Sequence, residues 1–179
     1  MPIDARHYRT EERLRTGLVV VIRAVLSDDR ARLAKAFANL ERESVYTRFF
    51  SYKNELTDAE LARIDAMDFV SEVMLVTTVP AGDDETIIAS ARYIALDGPP
   101  PRVAEVAFAV EEDYQGLGIA GRMLVHLVAI ARTMGIQRFE ADVLPENKAM
   151  IAVFLRAGVP VSQRREPGVV HVTLDLTPA

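Results

Sequence analysis

DYQGLGIAGRML, residues 113–124, decides how the rest of the chain is read. Its glycines fit two patterns. Gly116, Gly118 and Gly121 spell Gly-x-Gly-x-x-Gly, a turn that holds a dinucleotide. Gln115, Gly118 and Ala120 spell Gln-x-x-Gly-x-Ala, a loop for the pyrophosphate of an acyl coenzyme A. Both use backbone N–H groups and the positive end of a helix to hold an anion.

The flanking residues separate the two. VAEVAFAV, residues 103–110, reads as a strand, and five residues separate its end from Gly116. A dinucleotide turn sets its first glycine directly at the strand end, early in a βαβ unit. Here about sixty residues follow the glycines, too few for the usual doubly wound sheet. The acidic residues at the right distance, Glu140 and Asp142, fall inside the next strand and not at its end. The dinucleotide pattern therefore fits poorly, and the motif alone leaves open an acyl-CoA loop or a glycine-rich turn that simply starts a helix.

Composition narrows the class. The 179 residues suit one domain, and 50% of them are hydrophobic. The net charge of −5 leaves no chain-wide basic footprint for nucleic acid. With no cysteine there is no disulfide, no cysteine nucleophile and no thiolate metal site. His7, His126 and His171 are dispersed without ligand spacing, so no metal is expected. The charged N-terminus is unlike a signal peptide, and no apolar run is long enough to span a bilayer. A cytoplasmic protein without membrane or nucleic-acid partners is expected.

Local patterns give the elements. Residues 18–25, 72–79, 86–96, 103–110 and 138–144 read as strands. Helices are expected at 29–40, at 44–50, and after the cap at Thr57. A long helix should end at Gly135, and a last helix should close at Gly158. The prolines of LDGPPPR, residues 96–102, demand a loop. Residues 159–176 read as a final hairpin turning near Glu166, Pro167 and Gly168. Residues 1–16 are expected as an N-terminal extension before a single domain over 17–179.

The stretch 103–158 resembles the core of the GNAT N-acetyltransferase family. An apolar strand ending at Val110, then Gln115-x-x-Gly118-x-Ala120 and a long helix, then a strand, Asn147 and a helix ending in Ala157-Gly158, come in that family's order. The stretch 40–69 is similar to the helical region of bacterial protein-lysine acetyltransferases. The resemblance implies an α/β (α+β) fold: a mixed, mostly antiparallel sheet of about seven strands flanked by helices. Its fourth and fifth strands should splay apart to admit the pantetheine arm. It also implies acetyl-CoA as donor and a protein with an exposed lysine as acceptor, with the enzyme a monomer or homodimer. A small-molecule amine acetyltransferase, or a non-catalytic acyl-CoA sensor or interaction module, stays open.

Site residues follow. Gln115, Gly116, Leu117, Gly118, Ile119, Ala120 and Gly121 would bring N–H groups to the pyrophosphate, with Leu117 and Ile119 turned into the core. Arg122 is placed to assist a phosphate or simply to be solvated. Glu105, a carboxylate in an apolar strand, is the candidate general base acting through water, and the resemblance supports that role. N–H groups of Phe108, Ala109 and Val110 can polarise the thioester carbonyl. Asn147 is either a partner of the coenzyme or the N-cap of the last helix. Glu111, Glu112 and Asp113 read as solvated loop carboxylates. Many family members carry a tyrosine seven residues after the asparagine, to protonate the leaving thiolate. Phe154 stands there, so no residue is assigned that role.

Overall fold

The computed structural model describes residues 2–40 and 57–178; the helix expected at 44–50 lies outside them. Among the described residues, eight strands form one sheet: β1 (Arg9–Arg13), β2 (Val19–Ala24), β3 (Glu72–Ala81), β4 (Asp84–Ala95), β5 (Val103–Val110), β6 (Arg138–Val143), β7 (Val161–Glu166) and β8 (Val169–Asp175). Four helices accompany them: α1 (Arg30–Ala38), α2 (Asp58–Ala66), α3 (Ile119–Thr133) and α4 (Lys148–Leu155). The strand order is β1-β2-β3-β4-β5-β6-β8-β7.

Every neighbouring pair is antiparallel except β5 and β6. Those two run parallel over three register pairs, Val103–Arg138, Ala104–Phe139 and Glu105–Glu140. Beyond Glu105 they part: β5 continues to Val110 and β6 to Val143 without pairing. The splayed strands are therefore the fifth and sixth, and the sheet has eight strands where about seven were expected. The added strand, β1, comes from within residues 1–16. Its sequence, RTEER, lacks the apolar alternation of a buried strand, as suits an edge strand with polar side chains.

Alternation sorts the sheet into two faces. One carries Val20, Ile22, Leu75, Ala91, Tyr93, Ala104, Phe139, Val172 and Leu174, all buried. α3 and α4 cover this face. α3 buries Ile119, Met123, Leu124, Leu127, Val128, Ile130 and Ala131, the stripe expected of a one-sided helix. The other face carries Met74, Ser90, Arg92, Ala107 and Ala109 along register pairs. Over it lie α1 and α2.

Capping explains where two helices begin. Thr57 Oγ1 accepts the Glu60 N–H at 3.1 Å before α2, and Asn147 Oδ1 accepts the Met150 N–H at 3.2 Å before α4. The start of α1 is fixed by charge. Arg23 of β2 donates to both oxygens of the fully buried Asp29, at 2.8 and 2.9 Å, and also binds Glu85. Asp29 accepts the Leu26 N–H at 2.7 Å as well. Burial alone pushes the Asp29 carboxyl up. The hydrogen bonds from Arg23 and from the Leu26 amide outweigh it and hold the group below the usual carboxylate range.

Candidate active site

The glycine loop joins β5 to α3. After Val110 a 3₁₀ turn, Glu112–Tyr114, leads to Gln115 in extended backbone. Gly116 and Gly118 then take φ of 78° and 86°, a region open to glycine and strained for other residues. An added Cβ at either would meet no protein atom within 4 Å. The glycines are thus required by backbone conformation, and the space over them is open. The N–H groups of residues 116–121 find no acceptor among the described residues, and they gather at the N-terminus of the 15-residue α3. Unpaired donors at the positive end of a helix dipole make an anion site. Leu117 and Ile119 turn inward against the core. The Gln115 side chain folds back, its Nε2 donating to the Val110 carbonyl at 3.0 Å, and so ties the loop to the end of β5.

Glu105 sits at the other end of the parting strands. It belongs to the last β5–β6 register pair, with Glu140 as partner, and its side chain is exposed on the α1–α2 face. Phe108, Ala109 and Val110 lie on the unpaired stretch between Glu105 and the loop, so backbone groups of β5 face the opening. Arg122 points elsewhere: its Nη1 donates to Glu12 Oε2 at 2.5 Å. His126 Nε2 meets the other Glu12 oxygen at 2.7 Å, and Tyr8 Oη meets His126 Nδ1 at 2.5 Å. The His126 contact, with Arg122 adding to it, holds Glu12 below the usual carboxylate range. This network pins the edge strand β1 to the helix that begins at the glycine loop.

Asn147 is the N-cap of α4, and Phe154 on that helix is buried, with its ring edge-on to Phe108 at 5.8 Å between centroids. A large apolar ring therefore closes the floor beneath the opening.

A cavity of ≈ 360 Å³ lies between α1, α2 and the sheet. Its walls include Leu33, Phe37, Leu61 and Ile64, and it reaches β5 at Ala109. Glu111 lines it too, half-buried, and burial raises its pKa above the usual carboxylate value. That corrects the expectation of a solvated loop carboxylate. Glu105 is outside this lining, four residues along the same face from Ala109, or about 13 Å at the rise of a strand. The cavity was not read from the sequence. Its one local signal was Arg92, a lone cation in the apolar run IIASARYIAL. Among the described residues no three His, Asp or Glu side chains gather as a metal site.

The family model for the acetyltransferase (GNAT) family matches residues 36–159. The chain belongs to the GNAT acetyltransferase family. The structure of yncA from Salmonella typhimurium, solved with its cofactor acetyl-CoA, shares the fold with a TM-score of 0.71 at 20% identity, over 89% of this chain and 95% of that one. The present chain is 35% identical over 165 residues to Acetyltransferase Pat of Mycolicibacterium smegmatis, covering 92% of this chain and 48% of that one. The chain thus spans about half the length of that relative. It is 30% identical over 144 residues to Acetyltransferase PA5475 of Pseudomonas aeruginosa, covering 78% and 74%. The crystal structure of the GNAT domain of S. lividans PAT superposes with a TM-score of 0.84 at 36% identity, over 93% of this chain and 96% of that one.

Proposed function

We propose that this GNAT domain acetylates a lysine side chain of a protein by direct transfer from acetyl-CoA, with Glu105 as general base through a water. The observation that carries the reading is the position of Glu105. It lies where β5 and β6 part, on a face that no described helix covers toward β6, β8 and β7. An amine on a large partner can reach the opening from that side.

The residue roles follow from charge and geometry. Residues 115–121 hold the pyrophosphate through N–H groups, which an acidic chain needs in place of a basic patch. The open strand edge at Phe108, Ala109 and Val110 pairs with the pantetheine arm and polarises the thioester carbonyl. Asn147 caps α4 beside the coenzyme. Arg122 acts on the loop indirectly, through Glu12. A lysine ammonium has an ordinary pKa of about 10.4, so the amine must lose a proton before it attacks. Glu105 accepts that proton. The C–N bond forms, the C–S bond breaks, and the CoA thiolate is protonated from solvent, since Phe154 has no proton to give.

Glu111 is a second assignment for the base. It lines the cavity, and burial raises its pKa above the ordinary carboxylate value, the direction that favours accepting a proton. Mass spectrometry of candidate proteins incubated with acetyl-CoA, with and without the enzyme, tests the acceptor. Absence of enzyme-dependent lysine acetylation on every candidate, with acetyl-CoA still bound, would rule the lysine reading out for them.

A further inference from the structure

The cavity under α1 and α2 holds a cation, Arg92, whose hydrogen-bonding capacity no described residue uses. Arg92 enters it from β4, in register with Ala107 and therefore between Glu105 and Ala109 on the same face. Its guanidinium donates no hydrogen bond to any described residue. The nearest acid is Glu72, 3.8 Å from Nη1, longer than a hydrogen bond. Glu72 is already engaged by Arg63, whose Nη2 donates to Oε2 at 3.1 Å. The other oxygen, Oε1, is sealed from solvent without a hydrogen-bond partner. Each guanidinium thus faces one oxygen of Glu72, Arg63 at hydrogen-bond distance and Arg92 beyond it, so Arg92 is ion-paired without a hydrogen bond. Of the other acids in the lining, Glu60 adds an electrostatic attraction to Arg92, and Glu111 stands at the far end, beyond Ala109. The Arg92 side chain is 27% exposed, so it is partly stripped of water, yet arginine stays charged.

A guanidinium in this state suits a carboxylate, which accepts two parallel N–H···O bonds from it. We propose that Arg92 is an anion-recognising residue, and that the cavity takes a small ligand with a short apolar body and a carboxylate, set beside the thioester on β5. The proposal rests on GNAT acetyl transfer and does not require lysine as acceptor. The carboxylate has two possible sources. It belongs either to the amine acceptor, as in an α-amino acid with an apolar side chain, or to the acyl group, as in a dicarboxylic acyl-CoA. The chemistry is the same in both. The amine nitrogen attacks the thioester carbonyl, C–N forms and C–S breaks. The amine proton passes to a base or to solvent, and the CoA thiolate takes up a proton. Arg92 only holds the carboxylate.

CoA release measured with matched pairs tests this. One arm compares methionine with 3-(methylthio)propylamine, and leucine with 3-methylbutylamine, as acceptors of acetyl-CoA. The other compares succinyl-CoA with butyryl-CoA as donors to whichever of these amines or a lysine peptide the native enzyme acetylates from acetyl-CoA. In one arm the carboxylate-bearing member should be preferred by on the order of 10- to 100-fold in kcat/KM, as for hydrogen bonds to a charged group. That arm identifies the source. The ratio should fall towards one in Arg92→Gln and be partly kept in Arg92→Lys, each variant checked for folding by its thermal shift with acetyl-CoA. If Arg92→Gln fails to fold, an undiminished ratio in Arg92→Lys counts against bidentate recognition. No preference in either arm of the native enzyme overturns the proposal, as does a preference that survives in Arg92→Gln. Lysine acetylation without any carboxylate preference sinks this inference alone. A carboxylate preference for free amino acids without protein acetylation sinks the lysine reading alone.

Discussion

The glycine loop and the cavity flank the same strand, β5, and draw their chemistry from opposite parts of the chain. The loop works with backbone: consecutive N–H groups, two left-handed glycines and a helix end, all within residues 115–121. The cavity works with side chains collected from α1, α2, β3, β4 and the end of β5, far apart in sequence. A backbone site tolerates many side chains and is intolerant of a changed φ or a filled space. A side-chain site behaves the other way round.

The largest expected effect breaks the backbone side. Gly118→Glu forces a side chain into a left-handed position and sets bulk and negative charge where the pyrophosphate should lie. Acetyl-CoA should then no longer raise the melting temperature, while the native protein shows a clear shift. A retained shift would mean that the coenzyme lies elsewhere.

Next comes the base, where the two sides meet. Glu105→Gln should lower turnover by about 10²–10⁴-fold at neutral pH, the usual contribution of a positioned base. The deficit should shrink as pH rises towards the pKa of the amine, because the acceptor then arrives neutral. If Glu105→Gln is nearly silent and Glu111→Gln carries that loss instead, the base belongs to the cavity and not to the strand opening.

The cavity side depends on Asp29, which anchors the start of α1. Asp29→Asn leaves Arg23 buried with half its partners and should reduce stability by about 3–5 kcal/mol, read by urea denaturation. The sign with pH is fixed by the lowered pKa of Asp29. Its contribution is whole above the unfolded value of about 3.9 and is lost as pH falls through the folded value. The native protein should therefore lose stability on acidification more steeply than Asp29→Asn. Parallel acid limbs would remove Asp29 from the account.

Much of this contrast explains what was legible in the sequence. β5 was read at its observed ends, and α3 to within a residue or two, because a strand followed by glycines and a one-sided apolar helix are local patterns. Gln115 and the glycines were found for the same reason. β1 was missed because RTEER carries no apolar alternation; only its pairing with β2 makes it a strand. Arg92 and the burial of Glu111 were out of reach, since both depend on how α1 and α2 lie over the sheet, which local periodicity does not encode. Arg122 had two readings, phosphate ligand or solvated residue, and its partner is a third thing, Glu12, 110 residues away.

The smallest expected effect is at Phe154. A hydroxyl at this buried site would meet an apolar surrounding, so Phe154→Tyr should cost about 1–3 kcal/mol and leave the acetyl-CoA thermal shift in place. A rise in turnover instead would set the ring beside the leaving thiolate.

The parting of β5 and β6 has a consequence for exchange with solvent. A continuous sheet slows exchange of its amides all the way across, with the centre the most protected. Here the seam lies inside the sheet, and three register pairs bridge it. Amides that point into the gap, along residues 106–110 and 141–143, have water as their alternative partner and should exchange early for so central a location. A pantetheine arm lying in the gap would slow them without any change in the strands themselves. Deuterium uptake at the middle of the sheet would then count occupied sites, making the core of the molecule report on its ligand.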